Sequence, residues 1–234
     1  MAAQSTASPT RRPKGVTDAD DIFIARTLQF SAWARRNARL VIAAAVIALV
    51  LIAGAVYYRW DQANRLERAA TEFMFLEQTA ASGNVALATR DIQQFIQRFD
   101  GTPYADEARV LLGQIHMQQG EPQQAVEALR ELPGRIRRSP VGAQGALLLG
   151  SAQAAAGDMA AAVATYTRVA DEALLDFVRE EALNSAALLR EQAGDYTRAA
   201  ELYRQLIGMT EEGSFQRSLY EMRLAEAEGR ARGQ

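Results

Sequence analysis

The chain of 234 residues contains no cysteine and a single histidine. Without cysteine there is no disulfide framework, no thiolate metal site, no thiol nucleophile, and no modified cysteine to carry a lipid anchor on an exported protein. The absence leaves the compartment open. The lone His116 has no second ligand or orienting partner in view, and its place in a helix reads as a packed core side chain rather than a ligand or base. The acidic pairs Asp106-Glu107, Asp171-Glu172, Glu180-Glu181 and Glu211-Glu212 are adjacent, so the two carboxylates of each pair point to different sides of a helix. Three of the pairs fall where helix starts are expected, where the helix dipole accounts for them. Serine and threonine lack a histidine partner, and no glycine-rich phosphate loop follows a strand. No catalytic residue, cofactor-binding residue or metal ligand is expected, and the chain reads as non-enzymatic.

Positive charge is scarce outside the first 60 residues. That segment holds Arg11, Arg12, Lys14, Arg26, Arg35, Arg36, Arg39 and Arg59 against Asp18, Asp20 and Asp21, and the remainder of the chain is acidic. Nothing resembling a nucleic-acid footprint covers it, so nucleic acid is not an expected partner. Charge is missing altogether from Leu40 to Tyr58, nineteen residues almost all Ala, Val, Ile or Leu. As a helix they would extend roughly 28 Å, close to the hydrocarbon thickness of a bilayer. Trp33 lies before the segment, and Tyr57, Tyr58 and Trp60 cluster at its far end, as amphipathic rings do at membrane interfaces. A buried core helix would carry polar residues on one face. Ala53-Gly54-Ala55 has the form of a signal-peptidase site, but the leader and apolar stretch are too long for one. The reading is an uncleaved membrane span over 40–58. Basic residues are denser before it than after it, which favours a cytoplasmic N-terminus and sends the rest of the chain across the membrane.

Residues 1–39 read as a cytoplasmic tail. Residues 1–16 have no apolar period, and their Arg11-Arg12-Pro13-Lys14 either touches anionic lipid or merely solubilises the tail. From Thr17 an amphipathic juxtamembrane helix is expected, with Ile22, Ile24, Leu28 and Phe30 on its apolar side.

Beyond the span one period dominates. Gly83, Gly120, Gly157 and Gly194 stand 37 residues apart, and Ala88, Ala125, Ala162 and Ala199 keep the same interval. So do Ile92, Leu129, Tyr166 and Tyr203, and the pairs Thr102-Pro103 and Ser139-Pro140. Such a period marks a solenoid whose units bury their apolar faces only by stacking. Each unit predicts helix A, a turn at the glycine, and helix B. Glycine takes the left-handed conformation that ends helix A, and the alanine five residues on permits close antiparallel packing. Thr102 and Ser139 are N-cap hydroxyls followed by proline at the first helical position. Ser214 to Gly229 predicts a capping helix with Phe215, Leu219 and Met222 inward and Arg217, Glu221, Arg223, Glu226 and Glu228 largely outward. Arg135, Arg137 and Arg138 read as a solvent-exposed basic loop between units, rather than a grip for phosphate or carboxylate.

Aligned on glycine, the units carry small residues at the eighth position (Gly113, Gly150, Ala187), Leu112, Leu149 or Ala186 before it, alanine at the twentieth and a large hydrophobe at the twenty-fourth. These spacings resemble the tetratricopeptide family. Leu76 takes the small position of the first unit, which predicts a distorted unit, and Arg109, Ala146 and Leu183 replace the consensus aromatic at position four. The fold class expected is all-α: an N-terminal transmembrane helix, then about four helix pairs and a C-terminal cap over 61–230.

Taken together, the basic N-terminal helix, the span ending Tyr57-Tyr58-Arg59-Trp60, the alanine-rich stretch from Arg65 to Phe75 and the closing Leu219-Tyr220-Glu221-Met222-Arg223-Leu224 resemble the ancillary SecYEG translocon subunit family. The likeness covers about residues 20 to 227. It implies an inner-membrane protein with a periplasmic tetratricopeptide domain beside the protein-export channel and its periplasmic folding factors. Partners so implied are the SecYEG translocon, periplasmic chaperones or unfolded chains, and membrane lipid through the single span. Another envelope machine, for cytochrome maturation or pilus biogenesis, is the alternative. No small-molecule substrate is expected, and self-association stays open. In a solenoid of this kind the concave face, lined by the A helices, accepts extended or helical peptides. The second, fifth, ninth and twelfth positions of those helices give Glu107, Val110, Gln114 and Met117, then Gln144, Leu147, Ser151 and Ala154, then Glu181, Asn184, Leu188 and Glu191. With no Lys or Arg, this set cannot clamp a peptide's terminal carboxylate and suits sequence-tolerant contact with extended segments.

Overall fold

The computed structural model describes residues 36–81 and 83–233. The expected tail and the juxtamembrane helix up to residue 35 lie outside the described residues. The first element, α1 (Ala38–Ala81), is one uninterrupted helix of 44 residues. The chain divides into two compact units, and the division falls inside α1 at Gln62–Ala63. In the first unit, Leu40, Ile42, Val46, Leu49, Ile52, Val56 and Tyr58 are all exposed, and the helix is long and apolar enough to cross a membrane.

The second unit is entirely helical in its described residues. It continues with α2 (Val85–Arg98), α3 (Pro103–Gln118), α4 (Pro122–Leu129), α5 (Pro140–Ala155), α6 (Met159–Glu172), α7 (Asp176–Gln192), α8 (Tyr196–Met209) and α9 (Phe215–Arg232). The distal part of α1 pairs with α2, and α3 with α4, α5 with α6 and α7 with α8 follow, with α9 against α8. The four periodic glycines hold φ between 73° and 87°, in the left-handed region where a side chain is penalised. At three of the turns the residue after the glycine donates its N–H back to the last turn of the preceding helix: Glu121 to His116 O, Asp158 to Gln153 O and Asp195 to Arg190 O, each at 2.9 Å. The same position then caps helix B. Asn84, Asp158 and Asp195 accept from the N–H groups of Leu87, Ala161 and Arg198. Ala88, Ala125, Ala162 and Ala199 are buried to within 1% of completely.

Helices A and B meet where side chains are missing. A Cβ at Gly113 would lie 2.7 Å from Leu129, and one at Gly150 would lie 2.7 Å from the Tyr166 ring. A Cβ at Gly145 would strike Leu132, and one at Gly142 would lie 2.6 Å from the carbonyl oxygen of Arg135. The second unit departs from the regular pattern here, because α4 has only eight residues and gives way to a 3-10 turn over Leu132–Arg135. Pro133 and Gly134 explain this, since proline cannot donate to a continuing α-helix and glycine resists ordering. Leu132 and Ile136 are buried and anchor the turn to the core.

The first helix pair accommodates Leu76 with rings. Leu76 is buried in a cluster with Phe73, Phe95 and Phe99, in which the Phe95 and Phe99 centroids stand 4.8 Å apart. Arg65 donates to the carbonyls of Arg98 and Asp100 at 3.2 and 3.1 Å, fixing the entry of α1 beside the α2–α3 loop.

Two expectations are corrected. Of the basic loop, Arg137 and Arg138 are exposed as expected, but Arg135 is half-buried: its guanidinium pairs with Asp106 at 2.8 Å and approaches Asp100 and Glu131 at 3.8 Å. Arg109, 7% exposed, meets Asp100 at 2.8 Å, Glu131 at 2.9 Å and Asp106 at 3.4 Å. Arg109 and Asp106 are the buried members, and stranding either would cost several kcal/mol (roughly 3–5 kcal/mol for breaking a buried pair), whereas Asp100 and Glu131 stand about half in solvent and contribute less. The capping helix is also rotated from the expected phase. Phe215, Leu219 and Met222 face solvent, with Phe215 81% exposed, while Tyr220 and Ala227 face the core. Tyr220 donates to Glu180 at 2.8 Å, which satisfies its hydroxyl inside the interface, and burial and that carboxylate push its phenol up to about 12. Arg217 is half-buried and donates to the carbonyls of Ile207 and Thr210, tying down the α8–α9 loop.

Two measurements test this packing on the full-length protein in detergent. Gly142→Ala, whose Cβ would meet backbone, is expected to lose about 1–3 kcal/mol in chemical denaturation. Gly229→Ala, with open space around it, is expected to gain up to about 1 kcal/mol. Asp100 bears on pH. Its hydrogen bond to Arg109 leads the causes that hold its carboxyl below the ordinary value, against the opposing effect of burial. A depressed carboxylate stabilises above its unfolded value, and that contribution is lost as pH falls through the folded value. The thermal midpoint is therefore expected to fall as pH drops below about 4, and Asp100→Asn to flatten that fall.

Candidate peptide-binding groove

The helices α3, α5 and α7 neighbour one another and present a concavity of about 390 Å³. Val110 and Gln114 enter it from α3, Gln144, Leu147, Leu148 and Ser151 from α5, Glu181 and Ser185 from α7, and Tyr166 from α6. The apolar floor at Val110 and Leu147 is nearly covered by neighbouring helices, whereas Gln114, Gln144 and Ser151 stand exposed around it. Paired amides can satisfy the N–H and C=O groups of an extended strand, and the apolar floor can receive a side chain.

Tyr166 reaches this face from the B layer through a gap. It packs across Gly150, whose missing side chain leaves the ring a path between α5 and α7. Burial raises the Tyr166 phenol above its ordinary value, with hydrogen bonds to Ser185 and Ser151 acting against that shift and Glu181 adding to it. The hydroxyl therefore stays protonated and stands among two serines and a carboxylate. Further along the face, burial pushes the Glu107 carboxyl upward, helped by the nearby charges of Glu77 and Asp106.

Val110, Gln114, Gln144, Leu147, Ser151 and Glu181 thus come together in one concavity. Glu107, Met117, Asn184, Leu188 and Glu191 lie on the same A helices but outside its lining. Ala154 packs against the core. Glu191 is engaged by Arg223 at 3.7 Å. Leu148, Ser185 and Tyr166 are additions to the expected set. For Tyr166 a signal existed, since a glycine at position eight of the A helix faces the aromatic at position twenty-four of the B helix. Leu40 and Tyr58 are exposed in α1, outside the second unit.

His116 is buried at the end of α3, and its Nδ1 lies 2.8 Å from Glu121 Oε2 across the Gly120 turn. Glu121 makes no side-chain cap to α4, because its carboxylate is turned back to the imidazole. The pair is a strut across the turn. Among the described residues no group of three or more His, Asp or Glu side chains could hold a metal ion. Asp171-Glu172 closes α6 rather than opening a helix, and Glu172 pairs with Arg168 at 3.1 Å. Tyr203 is the described side chain buried without a hydrogen-bond partner of ordinary geometry. Burial, with the nearby Glu191 carboxylate, still pushes its phenol up to about 12.

A stack of helix pairs with a glycine turn, an alanine seam and a concave A-helix face defines a tetratricopeptide array. The chain belongs to the tetratricopeptide repeat-like domain family, whose model matches residues 31–180 and so includes the apolar part of α1. A tetratricopeptide repeat also matches residues 182–216. None of the curated proteins compared matches the chain. Among solved structures, the tetratricopeptide-like repeats of a kinesin light chain from Podosopora anserina align over 71% of this chain and 88% of theirs, with 18% identity and a TM-score of 0.54. A tetratricopeptide repeat protein from Parabacteroides merdae aligns over 70% of this chain and 61% of its own, with 18% identity and a TM-score of 0.55. MamA aligns over 71% and 89%, with 21% identity and a TM-score of 0.50. These similarities show the fold. Tetratricopeptide arrays are protein–protein interaction scaffolds, and the family bears on this chain in that sense.

His116→Ala is expected to lose about 2 kcal/mol by removing a buried ring and stranding Glu121, as read by chemical denaturation. Its helix content by circular dichroism should match that of the parent protein.

Proposed function

We propose that the protein is a non-enzymatic, single-pass adaptor of the bacterial inner membrane. Its N-terminus is cytoplasmic and its tetratricopeptide array periplasmic, where it docks partner proteins or emerging polypeptides at the protein-export channel in a chaperone-like manner. The domains are then a cytoplasmic tail over 1–39, a span over 40–58 and the solenoid over 61–230. One observation carries the reading: a single helix exposes apolar side chains all round from Leu40 to Tyr58 and then turns one face, Ala69, Phe73 and Leu76, into the repeat core. A surface of that kind is solvated by lipid, not water. The basic bias before the span supports the orientation. The resemblance to the ancillary SecYEG translocon subunits supports the site of action, and the amide-lined concavity supports sequence-tolerant binding of protein segments. A scaffold for another envelope machine, in cytochrome maturation or pilus biogenesis, would use the same anchor and groove, and the identity of the partner separates the two.

A reporter active only in the periplasm, fused after Gln234, is expected to be active, and activity of a cytoplasm-specific reporter there would refute the topology. Extraction in mild detergent, with a version carrying an unrelated span as control, is expected to co-purify translocon subunits and periplasmic chaperones. Recovery of a different envelope complex instead would reassign the site of action and leave the adaptor role in place.

A further inference from the structure

The concavity between α3, α5 and α7 contains one formal charge, Glu181, and no lysine or arginine. The neighbouring carboxylates of α7 are engaged: Glu180 accepts from Tyr220 at 2.8 Å, and Glu191 pairs with Arg223 at 3.7 Å. Glu181, by contrast, is exposed, and among the described residues it has neither a hydrogen bond nor an ion pair. Glu107, on α3 beside the concavity, adds a second carboxylate to these A helices, its own value raised by burial and by the nearby charges of Glu77 and Asp106. A carboxylate set at the lip of an apolar-floored cleft attracts cations and rejects anions, because part of its surroundings is low-dielectric protein.

The second component is a fixed neutral donor. The Tyr166 ring packs across Gly150 with Ser151 and Ser185 as hydrogen-bonding partners of its hydroxyl, and Gln114 and Gln144 add two amides to the same lining. Such groups recognise backbone rather than sequence, which leaves the carboxylate as the element that discriminates between side chains.

We propose that this concavity binds an extended segment of a partner protein through a lysine or arginine side chain seated against Glu181. The aliphatic stem of that side chain lies on Val110, Leu147 and Leu148, and the Tyr166 hydroxyl and the two amides hold the segment's main chain. The inference rests on the protein-binding reading above and adds its selectivity. A long cationic side chain suits the site because it offers an apolar stem and a charged head together.

The test uses the full chain reconstituted in detergent and three fluorescein-labelled octapeptides of alanine, valine and leucine that differ at one central residue: Lys, Gln or Glu. The Lys peptide is expected to bind roughly three- to fivefold more tightly than the Gln peptide, the range of a partly exposed ion pair, and the Glu peptide more weakly than either. In Glu181→Gln the Lys-to-Gln affinity ratio is expected to fall to about one, and in the parent protein the ratio should shrink as salt is raised. Tyr166→Phe, which keeps the ring that fills the core, is expected to weaken all three peptides alike. Equal binding of all three peptides by the parent protein would overturn the charge selectivity while leaving the groove a binding site. A Lys preference that survives Glu181→Gln would overturn the assignment to this residue. No binding of any peptide would overturn the groove reading together with the inference.

Discussion

The close approach of helices at positions without side chains sets the geometry of everything else in the second unit. Gly113 admits Leu129, Gly145 admits Leu132, Gly142 rests on the Arg135 carbonyl, and Gly150 opens a path for Tyr166. None of these contacts is a strong interaction in itself. Each removes a methyl group's thickness from an interface, and the consequence is burial of the large residue opposite: Leu129 and Leu132 are completely covered and Tyr166 nearly so. Seating Leu132 fixes the 3-10 turn, and the turn delivers Arg135 to Asp106. Seating Tyr166 carries a phenol from one layer of helices to the concave surface of the other.

Most of this was legible in the sequence where the requirement was local and exclusive. A left-handed turn selects glycine, an antiparallel seam selects alanine, and a helix start selects a hydroxyl before proline, so the period, the pairs and the caps at Thr102 and Ser139 follow from residue type alone. Reading stopped where a choice depended on distant partners. On α9 two apolar faces compete, and the one with Tyr220 wins because Glu180, forty residues earlier, can accept a hydrogen bond from its hydroxyl while Phe215 has no such tie. Arg135 looked like part of a solvated basic run because its partners Asp100 and Asp106 sit far back along the sequence, at the entrance to α3 of the same helix pair. The groove was partly legible for the opposite reason: helical spacing alone brings Val110, Gln114, Gln144, Leu147 and Ser151 to one side, but no A-helix register contains Tyr166.

The first helix carries two kinds of sequence in one element. Up to Trp60 its residues are apolar without regard to face; after Arg65 apolar and charged residues alternate with the helical turn, and only Ala69, Phe73 and Leu76 are covered. The change coincides with the tyrosines and tryptophan at 57, 58 and 60, residues whose amphipathic rings suit a boundary between media.

A linear array has no single core, and its stability is a sum over junctions between neighbours. In this chain the junctions differ in kind. The contacts among α5, α6, α7 and α8 are made of alanine, valine, leucine and tyrosine, and weaken on cooling as hydrophobic contacts do. The junction of the first two helix pairs and the 3-10 turn has its own apolar cluster, with Ala108 and Leu112 of α3 against Phe95 and Phe99, and adds Arg109, Arg135 and their three carboxylates, whose desolvation penalty falls as temperature rises. Heating and cooling therefore load different seams, and the place where the array first opens is a property of the temperature as well as of the sequence.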